Sequence, residues 1–199
     1  MRNRVAMIPT VRVISYTQDG EKLVAASSKR SLSSKDVSEI FERMDDEEVE
    51  VWIRETLKRG HLSPWEHCIY TFEVICSRVC SHQLVRHRIA SYTQLSQRYN
   101  ERLLEPKETK YWLEISERVL SGDKEALAEV GRAFYLGDPD WPEDLRIRMA
   151  SEYARSVAKY WELRGKGLSR EDARYILPQA VATKIVVTMN AREILHFLG

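Results

Sequence analysis

The chain has 199 residues, 43% of them apolar and 31% charged, enough to bury a substantial core as one domain spanning 1–199. Its 31 Lys and Arg against 30 Asp and Glu leave a net charge of +1. No overall field therefore favours nucleic acid or an anionic membrane, and any attraction for anions is local. No stretch approaches the roughly 20 apolar residues of a membrane helix, and the N-terminus lacks an apolar signal region. The expectation is a cytoplasmic protein with no membrane or nucleic-acid partner.

In chain order, "VAMIPTVRVISY" (5–16) contains a β-branched run that fits a strand. Ser34 and Asp36 open a segment with Val37, Ile40, Phe41 and Met44 at helical spacing. After the acidic break "DDEE" the spacing resumes through Val49, Trp52, Ile53 and Leu57 and stops at Gly60, giving two helices or one that bends. "GHLSPWEH" (60–67) then reads as a short helix with Ser63 as N-cap, Pro64 at N1 and Glu66 closing a capping box. His61 and His67 flank that helix start, a place that favours anions. "CIYTFEVIC" (68–76) suits a core strand. The cysteines Cys68, Cys76 and Cys80 are odd in number and contain no C-x-x-C pair, which argues against a disulfide scaffold or a metal site and for buried free thiols.

"SRVCSHQLVRHR" (77–88) recovers helical spacing through Val79, Gln83, Leu84 and His87, and brings Arg86 and Arg88 to a helix C-terminus, where cations complement the dipole. On a helix, positions two apart point about 200° from one another, so Arg86 and Arg88 serve different partners. "IASYTQLSQRY" (89–99) follows with hydroxyls, amides and a further guanidinium. Such groups hold phosphate and the donor and acceptor edge of a base or an isoalloxazine ring. The residues alone point to a nucleotide-sized anionic ligand or to a solvated basic turn, and they name no reaction. Three amphipathic helices follow, in 106–120, 124–137 and 141–167, with "GDPDWPED" (137–144) as a loop; their aromatic and Leu stripes read as core or subunit contacts. Ser169 with Asp172 can cap one further helix, and Asn190 another over "AREILHF".

Arg86-His87-Arg88, seven residues and then Ser96 resemble the R-H-R-x7-S motif of the flavin-dependent thymidylate synthases. "GHLSPWEH", "EDARYILP" (171–178) and "TMNAREILHF" (188–197) resemble three further ordered blocks of that family. The resemblance implies an α+β fold, a central antiparallel sheet flanked by helices, assembled as a homotetramer with intersubunit active sites. It also implies that NADPH reduces bound FAD, that methylenetetrahydrofolate passes its one-carbon unit to dUMP, and that reduced flavin supplies the hydride yielding dTMP and tetrahydrofolate. Carried over residue by residue, it places Ser63, Glu66, Arg86, His87, Arg88, Asn190 and His196 at FAD. It places Gln83, Gln94, Leu95, Ser96, Gln97 and Arg98 of one subunit, and Arg174 of another, at dUMP.

No side chain of the chain is assigned a catalytic role. Ser96 has no Asp/His relay beside it and is read as positioning dUMP, and the cysteines lie in an apolar strand and the helix after it rather than in an electropositive site. Thr93 stands where the family commonly has asparagine, and Gln94 where many members have glutamate, which should alter ligand orientation rather than abolish binding. The family continues past the H-F block with an arginine that orients dUMP, whereas this chain stops at Gly199, so flavin binding is expected to survive better than catalysis. The alternative reading is a noncatalytic nucleotide- or RNA-binding module that uses the Arg86–Arg98 cluster.

Overall fold

The computed structural model describes residues 9–98 and 100–199. Four strands, β1 (Thr10–Tyr16), β2 (Ile69–Ser77), β3 (Ser91–Gln94) and β4 (Ala182–Asn190), form one antiparallel sheet in the order β1-β2-β4-β3. With its helices the chain is an α+β protein. Residues 5–8 of the expected first strand and Tyr99 of the polar cluster lie outside the described residues. β4 alternates cleanly, with Ile185, Val187 and Met189 buried and Lys184 and Val186 exposed, as a strand with one covered face must. β2 departs from the expected core strand, since most of it is only half-buried and burial is complete only at Cys76 and Ser77. β1 is exposed along its whole length.

The chain divides into two compact units. The mixed unit holds 11–73, 87–93 and 186–199; the helical unit holds 74–86 and 94–185. In the mixed unit, α1 (Gly20–Arg30), α2 (Val37–Arg43) and α3 (Asp46–Arg59) bring Ala25, Ala26, Ile40, Met44 and Val49 into one small apolar cluster. α2 and α3 are separate helices, and α3 ends on Gly60 at φ 68°, where a glycine costs least. Periodicity did not announce α1, because its buried face is Val24, two alanines and Ser28, which carry little hydrophobic signal. Its first residue must be glycine: a Cβ on Gly20 would lie 2.3 Å from the Cys68 Sγ.

"SPWEH" forms a 3₁₀ turn over Ser63–His67 rather than a capped α-helix. Leu62 occupies the N-cap position and no side chain caps the turn, so the capping box expected of Ser63 and Glu66 is not formed. Glu66 instead pairs with Arg192 at 2.5 Å, on the last helix of the chain, α9 (Ala191–Leu198).

In the helical unit, α4 (Arg78–Leu84) is short, while α5 (Thr109–Leu120), α6 (Lys124–Ala133) and α7 (Glu143–Gly165) match the three expected amphipathic segments. Trp112, Ile115 and Val119 of α5 face Ala150, Ala154, Val157 and Ala158 of α7 in the largest core cluster. Alanines let the two helices approach closely and the tryptophan fills the space they leave. α8 (Arg170–Ala173) is capped by Ser169, whose Oγ accepts the Asp172 N–H at 3.1 Å. The chain then turns into a 3₁₀ segment at Arg174.

Candidate active site

The expected nucleotide residues all fall in the helical unit. Gln83 is exposed on α4, two positions from the buried Ser81 and so on the opposite side of the helix. Gln94 spends its amide nitrogen inward, donating to Ser81 Oγ at 2.7 Å and to Thr183 Oγ1 at 3.1 Å. Both hydroxyls are buried, so this amide locks the end of β3 onto α4 and β4. The Leu95 N–H donates to the Lys184 carbonyl at 2.8 Å and carries the ladder one residue past β3. Ser96 then shapes the turn: its Oγ accepts the Arg98 N–H at 3.2 Å and its carbonyl accepts the Asn100 N–H at 3.2 Å. Arg98 pairs with Glu171 at 3.1 Å across two exposed side chains. Gln97 and Arg174 line one cavity of about 220 Å3.

Sequence reasoning missed the group that holds these segments together. Glu101, 7% exposed, takes a hydrogen bond from the Tyr160 hydroxyl and ion pairs from Arg164 at 3.2 Å and Arg170 at 3.0 Å. Burial, and then the Glu101 bond, hold the Tyr160 phenol well above the usual tyrosine range. One carboxylate thus ties the "LSQR" turn, three residues before it, to α7 and to the start of α8, four residues before Arg174. A lone Glu after a basic stretch gives no sequence signal of burial; its partners are some 60 to 70 positions away.

Most of the expected cofactor residues fall in the mixed unit, as 63, 66, 87, 88, 190 and 196; Arg86 closes a segment of the helical unit. α4 ends at Leu84, so Arg86 and Arg88 do not sit on a helix, and the helical argument for their divergence is overturned. Both are exposed, and neither forms an ion pair with a carboxylate among the described residues. His87 is fixed more tightly. Its carbonyl accepts the Tyr92 hydroxyl at 2.6 Å, and its ring packs on His196 and edge-on to Phe197.

Glu193, another residue the sequence reading passed over, is 5% exposed. One of its carboxylate oxygens lies 3.2 Å from His87 Nε2 and 3.5 Å from His196 Nδ1. That oxygen and His87 Nε2 are buried without an aligned hydrogen bond. The three side chains offer ligand atoms within 4.8 Å of one another, a spacing that one cation or one hydrogen-bonding ligand group can span. The helical spacing of Glu193 and His196, three apart, was the available signal. Asn190 caps α9 as expected, its Oδ1 accepting the Glu193 N–H at 2.9 Å. Ser63 borders a cleft of about 860 Å3 together with His61, His67 and residues of α1 and α3.

The thiols separate by environment. Cys68 and Cys76 are buried, but Cys80 is exposed, contrary to the expectation of three buried thiols. Burial, with a contribution from Cys80, pushes the Cys76 thiol up to about 12, which keeps it protonated and unreactive at neutral pH.

Residues 12–199 match the family described as thymidylate synthase complementing protein. Flavin-dependent thymidylate synthases from Aeropyrum pernix (42% identical, covering 94% of this chain and 66% of the relative) and Thermococcus kodakarensis (42%, 95% and 69%) are similar in sequence. The chain spans about two thirds of the length of these curated relatives. Among solved structures, a UMP/dUMP methylase from Streptomyces cacaoi bound with 5-Br dUMP is similar at TM-score 0.69, with 25% identity over 96% of this chain and 76% of that one. Thymidylate synthase X from Helicobacter pylori, solved with FAD and dUMP, shares the fold at TM-score 0.70, with 23% identity over 95% of this chain and 82% of that one. On the family match over residues 12–199 and the identity to full-length relatives, the chain belongs to the flavin-dependent thymidylate synthase family.

Proposed function

We propose that the protein is a flavin-dependent thymidylate synthase that converts dUMP to dTMP, with methylenetetrahydrofolate as carbon donor, FAD as hydride carrier and NADPH as reductant. The observation that carries the reading is the sorting of two motif-derived residue sets by compact unit. Every residue expected at the nucleotide lies in the helical unit, and all those expected at the flavin except Arg86 lie in the mixed unit.

The mixed unit has the donor set a flavin dinucleotide needs. Arg88 offers a guanidinium to a pyrophosphate, and His87 and Glu193 hold buried polar atoms that lack an aligned partner. The cleft of about 860 Å3 beside Ser63 has the volume of sites that engulf small organic ligands. Bound FAD supplies a two-electron, hydride-carrying centre there. In the helical unit the polypeptide's task is to bind and orient: the Ser96 turn and Gln97 present the nucleotide pocket, Gln94 holds β3 in place, and Arg174 neutralises phosphate charge. No serine or cysteine nucleophile is required of the chain.

Assembly as a homotetramer with intersubunit sites is part of the proposal. β1 supports it: Val11, Val13, Ile14 and Tyr16 are half or more exposed on an edge strand, an apolar surface that a second copy would cover. Among the described residues no helix is long and apolar enough to cross a membrane. A cytoplasmic location, as expected of a nucleotide-synthesis enzyme, completes the proposal.

The test is reconstitution of the purified chain with FAD, desalting, and titration of the visible spectrum with dUMP. Retained flavin whose spectrum shifts with dUMP is the expected result. A colourless protein that binds polyribonucleotides in a salt-sensitive way would overturn the enzyme reading in favour of a binding module.

A further inference from the structure

We propose that His87, Glu193 and His196 form a binding site for one divalent transition-metal cation of the zinc class, held in competition with flavin. The site stands on the geometry of the cluster; only the competition rests on the flavin reading above.

Two imidazoles and one carboxylate are a donor set that holds zinc and leaves a fourth position open. Ligand atoms about 2.0–2.1 Å from a tetrahedral ion lie about 3.3–3.4 Å from one another. Glu193 Oε2 is 3.2 Å from His87 Nε2 and 3.5 Å from His196 Nδ1, so two edges of that tetrahedron are already in place. The third edge, between the imidazoles, is no longer than 4.8 Å, and the His196 side chain, 76% exposed, can swing to close it. Glu193 and His196 stand three apart on α9 and so share one face of the helix.

The Glu193 side chain is 7% exposed, and its Oε2 makes no aligned hydrogen bond with His87 Nε2 although the two lie within hydrogen-bond distance. A buried carboxylate is costly unless it is paired with a cation or bound to a metal. Among the described residues no Lys or Arg pairs with Glu193; its neighbour Arg192 is engaged with Glu66 at 2.5 Å. Mg2+ and Ca2+ are the wrong class, because they want a shell of oxygens and here a single carboxylate faces two ring nitrogens.

The ligands are held from outside the cluster. Asn190 Oδ1 accepts the Glu193 N–H at 2.9 Å, the Tyr92 hydroxyl donates to the His87 carbonyl at 2.6 Å, and Phe197 packs edge-on to the His87 ring. The exposed side of His196 gives a cation its way in. His87 and His196 are also the residues expected at flavin, and lone pairs given to a metal are withdrawn from a cofactor, so cation and flavin are alternative occupants.

The test is calorimetric titration of the full chain, stripped with a chelator, with Zn2+ and with Mg2+, and a visible spectrum with Co2+. One Zn2+ per chain is expected, with no heat from Mg2+ and with the intense visible bands of four-coordinate Co2+. Glu193→Gln and His196→Ala should each weaken Zn2+ by more than the roughly 10- to 100-fold that a change outside the ligand set costs. His196→Ala, at an exposed side chain, decides the matter if circular dichroism shows that the Gln variant does not fold. Cys80→Ser and His82→Ala, which remove an exposed thiol and an exposed imidazole elsewhere, should leave Zn2+ binding unchanged. A chain that takes no Zn2+, that takes Mg2+ equally well, or that keeps its Zn2+ affinity in both ligand variants would overturn the site. Zn2+ added during reconstitution should lower the FAD retained after desalting several-fold, and Mg2+ should not; equal retention would overturn the competition. The titration needs no flavin, so a chain that never retains FAD would sink the enzyme reading and leave the cation site to be judged on Zn2+ alone.

Discussion

The helical and mixed units hold their ligand residues by different means. In the helical unit the expected nucleotide residues hang on one large core, in which Trp112, Phe134, Tyr160 and Val157 are almost fully buried, and on the Glu101 ion network. In the mixed unit the expected flavin residues hang on two small clusters, one of which centres on Val24, Cys68 and Ala191, and its first strand is exposed throughout. A receptor for a small dianion needs forks held to a fraction of an ångström, and a continuous core supplies that rigidity. A long dinucleotide spreads its contacts, and the flavin and second subunit proposed for the mixed unit would add to its order on binding.

The strongest way to break this contrast is to remove Glu101. Glu101→Ala leaves the buried Tyr160 hydroxyl without its acceptor and removes the shared partner of the partly exposed Arg164 and Arg170, and it should cost about 1–3 kcal/mol. In a chain of this size that corresponds to a fall in Tm of roughly 2–12 °C in a thermal melt. Deoxynucleotide binding should fail with it, because the same carboxylate ties the Ser96 turn to the start of α8. A drop of under about 1 kcal/mol would show that the network is screened like a surface pair.

Alkaline titration sharpens the comparison next. Cys76 in the helical unit is raised to about 12 by burial, and Tyr70 in the mixed unit is raised to about 12 by its Cys68 hydrogen bond and by burial. Both groups bind their protons more tightly folded than unfolded. Their contribution is complete below the unfolded values, about 8.5 for cysteine and 10 for tyrosine, and is lost as pH rises from there toward 12. Each steepens the loss by at most about 1.4 kcal/mol per pH unit. Denaturant melts between pH 8 and 11 should therefore decline first through Cys76, and Cys76→Ala should flatten that early part of the slope. Iodoacetamide at pH 8 should label the exposed Cys80 and spare the buried Cys68 and Cys76.

Smaller again is the cap of α9. Asn190→Ala removes the acceptor of the Glu193 N–H and should cost about 1 kcal/mol, since N-caps contribute roughly 0.5–2. Its local effect is more informative than its size. Glu193 sits in the turn that Asn190 holds, so FAD retention after desalting should fall by more than the small change in Tm accounts for. Equal, minor changes in both would mean that the carboxylate beside His87 does not depend on the cap.

The same contrast separates what the sequence makes legible from what it hides. α5, α6 and α7 were readable because their apolar stripes recur at helical spacing, and Ser169 and Asn190 were readable as caps because capping is a local hydrogen bond. α1 was hidden by a buried face of alanines and serine, and β3 by its polar composition, which suggested a ligand surface rather than a sheet edge. Ser63 misled in the other direction, since the expected box residues stand in a 3₁₀ turn whose Glu66 is drawn to Arg192, more than a hundred positions away. Motif spacing nominated most of the candidate site. It did not nominate Glu101 or Glu193, whose roles arise only when distant segments bury them against particular partners.

The smallest effect on stability belongs to the Arg98–Glu171 pair, and it tests the nucleotide residues most directly. Both side chains are about half exposed, so the 3.1 Å ion pair contributes no more than about 1 kcal/mol, and Glu171→Gln should leave Tm essentially unchanged. Its effect on ligand binding has the opposite sign. The substitution releases Arg98 from a carboxylate and removes a negative charge near a phosphate site, so dUMP should bind a few-fold tighter at low salt, and the gain should shrink as added salt screens the exposed charges. Deoxyuridine should not respond. If dUMP weakens instead, Glu171 orients Arg98 toward the phosphate rather than competing with it, and the ion pair is part of how the helical unit prearranges that guanidinium.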